Sequence, residues 1–436
     1  MNEYPNVMKE KLTSIINKMA ASSSLFVKNP GKDFTRNRKL PFESVIQLLL
    51  SMGGNSIYKE ILEAQGYDIN TATASAFVQQ RDKILPSALE FLFHEFTQSL
   101  ADTKKYKGYR LLAVDGSKLN IATDPDDSDT YFQTCADKRG YNLLHLNAMY
   151  DLCTRVYTDA CVGSPRSANE NKALTNMVDR SQIKDNVIVI ADRYYESYNN
   201  FAHIEKKGWH YLIRVRDLRK NGILSALPLP VDGEFDLSFD RVLTRKQTQE
   251  IKANPEIYRF IAHTSPFDFF DRQNTFYPIS FRAVRFKITE DAYETVITNL
   301  QPSDFPPEEL KMLYNMRWGI ETSFRELKYA VGLLNFHAKK QGYIVQEVFA
   351  RMTMYNFAEM ITSHVVISKA DTRHAYQVNF TVAIHICRYF LRCLHNIPPP
   401  DVEALIGKNV LPIRPGRKNP RIFRAKPAVS FIYRVA

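Results

Sequence analysis

Tryptophan and cysteine are scarce in this 436-residue chain: two tryptophans, Trp209 and Trp318, and five cysteines, Cys135, Cys153, Cys161, Cys387 and Cys393. An odd number of cysteines with no Cys-x-x-Cys pair suits a reducing cytoplasm rather than a disulfide scaffold or a zinc site. His385 lies near Cys387 and Cys393, but in an apolar helical stretch where core packing accounts for the sulfurs. No apolar run approaches the roughly 18–20 residues of a transmembrane helix. The amino terminus mixes Asn2, Glu3, Lys9, Glu10 and Lys11 and has no signal-peptide core, so no membrane partner is expected. Acid is missing from residues 408–436, where Lys408, Arg414, Arg417, Lys418, Arg421, Arg424, Lys426 and Arg434 are spaced by Pro412, Pro415, Pro420 and Pro427. An extended basic tail of this kind fits phosphate contact, with Phe423, Phe431, Ile432 and Tyr433 able to dock it.

What is present is ordinary in bulk and unusual in arrangement. Apolar residues make up 44% and charged residues 24%, as in a globular protein of two or three domains. A net charge of +11 points to a polyanionic partner, a requirement that anionic membrane surfaces also meet. The most informative stretch is 314–328, which reads YNMRWGIETSFRELK. Pro306 and Pro307, followed by Glu308 and Glu309, mark a helix start just before it. On one helix, Tyr314, Arg317, Glu321, Arg325 and Lys328 fall within an arc of roughly 80°. Met312, Met316, Ile320, Leu327 and Val331 form the opposite, apolar face. Taken alone, the charged face fits a solvated row of i,i+4 ion pairs equally well.

Two upstream apolar runs, 110–114 and 187–191, read as strands buried on both faces, and each ends in an aspartate, Asp115 and Asp192. Carboxylates at strand ends are where catalytic and metal-binding groups are commonly displayed. Each has a structural alternative. Asp115-Gly116 suits a hairpin turn with 118–122 as the returning strand, and Asp192 suits a helix cap before Arg193.

The order Asp115, Asp192, Glu321, with the Tyr-x2-Arg-x3-Glu-x6-Lys spacing of Tyr314, Arg317, Glu321 and Lys328, resembles DDE transposases of the insertion-sequence-four family. Residues 34–42 and 75–83 resemble that family's amino-terminal region, and 145–151 and 211–216 its core strands. The resemblance implies an α/β fold: a ribonuclease-H-like mixed-sheet catalytic core with a β-rich insertion, a helical N-terminal domain and C-terminal helices. It places a helical, DNA-binding unit at 1–105 and the first part of the core at 106–216. The insertion then falls at 217–292, the second part of the core with the Glu321 helix at 293–340, C-terminal helices at 341–407 and the basic tail at 408–436. Strands are expected at 234–243, 258–262, 277–288 and 293–300, and most of Phe267, Phe269, Phe270 and Phe276 in a small core. Related transposases carry a tryptophan in the insertion to hold a flipped base. Trp209 and Trp318 both fall outside it, which leaves the identity of such a residue open.

The implied activity is transposition of a bacterial-type insertion sequence: strand cleavage, a hairpin on the element end, and joining of the 3′-hydroxyl to target DNA. Asp115, Asp192 and Glu321 are the expected ligands of two Mg²⁺ ions, for which Mn²⁺ can substitute, since hard oxygen donors suit these ions. Tyr314, Arg317 and Lys328 are expected to hold phosphates, with further DNA contacts from Arg193, Trp318, Arg325, Arg36, Arg38 and Lys39. The implied partners are double-stranded DNA, as terminal inverted repeats and target, and a second copy of the chain in the end complex. The implied location is the nucleoid of a prokaryotic cytoplasm. A nuclease of the same fold that does not join strands, and a catalytically silent DNA-binding derivative, are the competing readings.

Overall fold

The computed structural model describes residues 2–36, 38–100, 104–133, 135, 139–166, 169–216, 222–290, 292–367, 375–393 and 398–413. The basic tail expected at 408–436 lies outside the described residues from Arg414 onward, including its four apolar anchors.

Five helices open the chain: α1 (Glu3–Ala21), α2 (Phe42–Ser51), α3 (Ile57–Ala64), α4 (Ala74–Asp82) and α5 (Pro86–Ser99). Local chemistry sets several of them. Met8, Leu12, Ile16 and Met19 form one buried stripe on α1 at helical spacing. The Thr73 side chain caps α4 by accepting from the Ala76 N–H, and Pro86 stands in the first turn of α5.

The central region runs β1 (Tyr109–Ile121), β2 (Tyr131–Phe132), β3 (Tyr141–Asp151), β4 (Val156–Gly163), α6 (Glu170–Arg180), β5 (Asn186–Ala191), α7 (Tyr198–Lys206) and β6 (His210–Arg214). It continues through β7 (Phe235–Thr244), α8 (Gln249–Ala253), β8 (Tyr258–Phe260), β9 (Phe276–Thr289), β10 (Ala292–Thr298), α9 (Pro307–Met316) and α10 (Trp318–Tyr329). The long helix α11 (Gln341–His364) follows, then β11 (Tyr376–Val378), α12 (Phe380–Arg392), α13 (Val402–Lys408) and β12 (Val410–Pro412). Strands β1 to β10 join one mixed sheet in the order β2-β3-β1-β5-β6-β10-β9-β7-β8, with β4 also paired to β3. The central strands β1, β5 and β6 are mutually parallel, while β3 and β10 run antiparallel to them. The fold class is therefore the mixed α/β, ribonuclease-H-like one.

The hairpin considered at Asp115-Gly116 does not form. Strand β1 passes straight through those residues, because β3 pairs with it without interruption from Leu112↔Asp151 to Ile121↔Asn142. Strands β7, β8 and β9 are hydrogen-bonded into the same sheet, β9 pairing with β10 on one side and β7 on the other. Phe267 is buried there, Phe269 and Phe270 pack against the same cluster, and Phe276 is exposed.

Two faces of the sheet carry different covers. Leu112, Val114 and Met149 pack with Leu174, Met177 and Val178 of α6 and Phe201 of α7. Ala113, Leu119 and Tyr150 pack on the other side with Ile320, Phe324 and Leu327 of α10 and with α11. Helix α11 is buried around almost its whole circumference, from Ile344 to Thr362, with the opening helices packed on it. Leu310, Leu313 and Tyr314 of α9 close a third cluster against Ile188, Ile190 and Leu212.

Candidate active site

The parallel register of β1 and β5 builds the centre of the site. Its last pair is Val114↔Ala191, so the next residue of each strand, Asp115 and Asp192, leaves the ladder side by side. Neighbouring strands lie about 4.8 Å apart, so the two residues stand side by side where the β1/β5 ladder ends. Asp115 Oδ1 accepts from the Gly116 N–H at 2.8 Å, and Asp192 Oδ1 accepts from the Tyr194 N–H at 2.9 Å. The capping role considered for Asp192 is thus real, and it starts the short turn Arg193–Tyr195.

Glu321 arrives on α10, tied to Asp115 through a shared arginine. Arg317 Nη2 donates to Glu321 Oε1 at 2.9 Å, and its Nη1 lies 3.9 Å from Asp115 Oδ2. Burial pushes the Asp115 carboxyl from 3.8 up to about 6, with Asp192 and Glu321 adding to the rise. The Gly116 N–H and the Arg317 charge oppose it. Burial works against the Arg317 charge too, but Tyr314, Glu321 and Asp115 more than offset it and raise its pKa.

This donor set suits a hard divalent cation. Asp115 senses both other carboxylates and bears an unrelieved electrostatic cost, which a bound cation lowers. Among the described residues, however, no three His, Cys, Asp or Glu side chains are grouped as a metal-holding cluster. Arg317 stands between Asp115 and Glu321 as their counter-charge.

The five residues expected on one open face are divided by the fold. The helix breaks at Arg317, which joins α9 to α10 with its own backbone still right-handed helical. Tyr314 is 3% exposed and Arg317 6%, whereas Met312, expected on the buried face, is 44% exposed. The reason is that α9 turns Leu310, Leu313 and Tyr314 together into the sheet. The Tyr314 hydroxyl has no hydrogen-bond partner among the described residues, and burial raises its pKa to about 12. Tyr314 therefore lies beside Arg317, whose guanidinium is 5.8 Å from its ring, and not on an open phosphate-binding face. Lys328 is partly buried, which lowers its pKa, while Asp115 pulls the other way. Arg325 is exposed and lines a cleft of about 990 Å³ behind α10 with Arg155, Glu326 and Glu359.

Other expected contacts scatter more widely. Trp318 is 58% exposed beside the site, with the Arg317 guanidinium 5.1 Å from its ring. The Arg193 guanidinium lies 5.8 Å from the ring of exposed Tyr194. Arg36, Arg38 and Lys39 are exposed in the connection before α2, and Lys39 Nζ donates to the Asn70 carbonyl at 2.8 Å. Sequence reasoning passed over Glu170, whose charge and that of Asp192 act on each other. Nothing in its local pattern marks it, because the Asn169 cap before it reads as an ordinary helix start.

The site is thus a pair of aspartates on adjacent parallel strands, joined through Arg317 to an acid on the facing helix. Residues 106–357 match the family model for the transposase DDE domain, and the chain belongs to that family. No curated protein matches it. Among solved structures it is similar to the piggyBac transposase, in a synaptic complex with hairpin DNA. That match has 10% sequence identity and a TM-score of 0.44, and covers 92% of this chain and 83% of the other. No helix among the described residues is long and apolar enough to cross a membrane.

Proposed function

We propose that this chain is the transposase of a bacterial-type insertion sequence, acting at Asp115, Asp192 and Glu321. The observation that carries this reading is the β1/β5 register, which sets the two aspartates side by side just past the last pair of that ladder, with Arg317 joining Asp115 to the α10 acid. The tyrosine, arginine, glutamate and lysine spacing on 314–328 supports assignment to the insertion-sequence-four group. Asp115 senses both other acids, and Asp115, Asp192 and Glu321 would together hold two Mg²⁺ ions. When bound, such ions activate a water or 3′-hydroxyl and stabilise the leaving oxygen.

The chain's own groups do the positioning. Arg317 offers a planar guanidinium beside the acids, suited to bidentate phosphate contact, and Lys328 a point charge. Trp318, Arg193 and Arg325 present exposed surface around them for the flanking strand. The helical unit with Arg36, Arg38 and Lys39, and the basic tail, would grip the element ends, two copies of the chain pairing two ends. Cleavage through a hairpin and joining of the 3′-hydroxyl to target DNA complete the cut-and-paste cycle.

The test is incubation of the full chain with Mg²⁺ and duplex DNA bearing the repeats that flank its coding region. Nicked, hairpin and joined products are expected. Cleavage without joined products would favour a nuclease, and end binding without any cleavage a silent DNA-binding derivative.

A further inference from the structure

We propose that His145, Asn147 and Glu170 form a metal site on the α6 face of the sheet, taking a first-row divalent cation of the Zn²⁺ type. It is separate from Asp115, Asp192 and Glu321 and does not depend on their reading as a cleaving centre.

The strands and α6 build it together. Side chains alternate between the two faces of a strand, and Leu112, Val114 and Met149 pack with Leu174, Met177 and Val178 of α6. Gly116 continues that series on β1, as Asn147 and His145 do on β3, and Gly116 pairs with Asn147. Glu170 opens α6, directly after its Asn169 cap. A Cβ on Gly116 would lie 2.6 Å from Glu170 Oε1, 2.6 Å from His145 Nε2 and 3.2 Å from Asn147 Oδ1. Three ligand atoms from two strands and a helix thus close on one place, and a glycine at 116 leaves it open. Gly116 has no positive φ, so space and not backbone freedom distinguishes glycine here.

The spacing and chemistry of these atoms suit a shared cation. His145 Nε2 and Glu170 Oε1 are 3.3 Å apart. Two ligands of one tetrahedral Zn²⁺, each about 2.0–2.1 Å from the ion, stand about 3.4 Å from each other. Imidazole draws Zn²⁺ and its first-row neighbours, and carboxylate and carbonyl oxygens complete their shells. Asn147 is 3% exposed, yet its Oδ1 has no hydrogen-bond partner among the described residues. A buried acceptor without a donor is costly, so its retention beside two further ligand atoms points to an ion that all three hold. Burial and the Lys118 charge lower the His145 pKa, which keeps the ring neutral, as a metal ligand must be. Burial and Asp192 raise that of Glu170, against the pull of Lys118. Lys118, exposed and paired with His145 in the ladder, is the positive charge the ion must compete with. An imidazole N–H donating to Glu170 is the competing account, and it leaves Asn147 Oδ1 unsatisfied. When bound, the ion would tie the start of α6 to β1 and β3 around Gly116.

The test is Zn²⁺ binding by the full chain without DNA, in a background carrying Asp115→Asn and Asp192→Asn. These changes take two acids from the cleaving centre, and asparagine keeps the capping oxygen that Asp192 supplies. Equilibrium dialysis should find one tightly held Zn²⁺ per chain, and Zn²⁺ should raise the melting temperature. Loss of even an outer partner costs a metal site roughly 10–100-fold in affinity, so Glu170→Gln should weaken binding about 100-fold and abolish the thermal shift. Asn147→Asp adds a second carboxylate and should tighten binding about 10-fold, a gain that no folding defect produces. A background chain that takes up no Zn²⁺, or one that binds it no better than Glu170→Gln does, would overturn the site. So would an Asn147→Asp chain that binds no more tightly. Cleavage enters none of these readouts, so the cleaving-centre reading stands or falls apart from them.

Discussion

At the residue scale, Asp115 carries a cost set by its burial beside two other acids. Folding moves its carboxyl from 3.8 to about 6, so between those pH values the folded chain keeps a proton that the unfolded chain has released. The sign follows. This group's contribution is fully favourable below about pH 4 and is lost as pH rises through about 6. A rise of that size is worth on the order of 2–3 kcal/mol. Asp115→Asn should therefore raise the melting temperature of the metal-free chain at pH 7, with the gain shrinking as pH falls toward 4. The same variant should lose cleavage while keeping end binding in a mobility-shift titration. If it nicks DNA normally, another residue holds the ion. Arg317 and Lys328 make the opposite case, as cations for phosphate. Removing either should weaken end-complex formation and lower its salt slope by about one counterion per contact. Arg317 is also bonded to Glu321 at 2.9 Å, so the competing role as a structural pair is concrete. A large drop in melting temperature with unaltered end binding would favour that role.

At the scale of elements, what fixes the site is how α10 is held to the sheet. The Tyr157 hydroxyl on β4 meets the Ser323 hydroxyl of α10 at 2.8 Å, with both residues buried. Asn356 of α11 completes the backbone of the same tyrosine. Its Oδ1 accepts from the Tyr157 N–H at 2.8 Å, and its amide donates to the Tyr157 carbonyl at 2.8 Å. The amide also donates to Thr97 Oγ1 on α5 at 3.0 Å. One buried side chain thus joins α11, β4 and α5, and the Tyr157 hydroxyl carries the link on to α10 behind Glu321. Asn356→Ala leaves a buried N–H and a buried carbonyl unpaired, and should cost about 1–3 kcal/mol in denaturant unfolding. Cleavage should fall with it through misplacement of α10, and a variant that unfolds like the parent would show that the clamp is replaced by water.

At the scale of the whole molecule, the opening helices are joined to the catalytic region by buried charge. Arg81 on α4 reaches Glu347 on α11 at 2.8 Å, with both side chains 3% exposed. Arg81 Nε also donates to Gln346 Oε1 at 2.9 Å. Burial disfavours the Glu347 charge, but hydrogen bonding to His337 and the Arg81 and Arg351 charges outweigh it and hold the carboxyl well below its ordinary range. A carboxyl lowered on folding contributes stability above its unfolded pKa and loses it as pH falls toward the folded value. The junction should accordingly weaken in acid. Breaking one side of a buried pair costs roughly 3–5 kcal/mol, so Arg81→Ala should lower the unfolding midpoint strongly at pH 7 and by a smaller amount at pH 3, where part of the contribution is already lost. Equal losses at both pH values would mean that packing, and not charge, binds the two regions.

The acids, their order and most strands were legible in the chain. Apolar runs ending in Asp115 and Asp192 are local patterns, and the strands at 235–244, 276–289 and 292–298 follow from alternation over a few residues. The fixed spacing from Tyr314 to Lys328 is equally local. Other features are set by neighbours distant in sequence. Asp115-Gly116 has good turn chemistry, but uninterrupted pairing with β3 outweighs it and keeps β1 straight. The face of Tyr314 and Arg317 is buried because α9 docks on the sheet, which helical periodicity cannot report. Glu170 lies 55 positions from Asp115 in sequence. It comes beside His145 and over Gly116 because α6 packs on that face of β1 and β3. Sequence determined which acids this protein owns; tertiary packing decided which cations and polar groups stand among them, since burial and mutual charge exist only once the sheet and helices have closed.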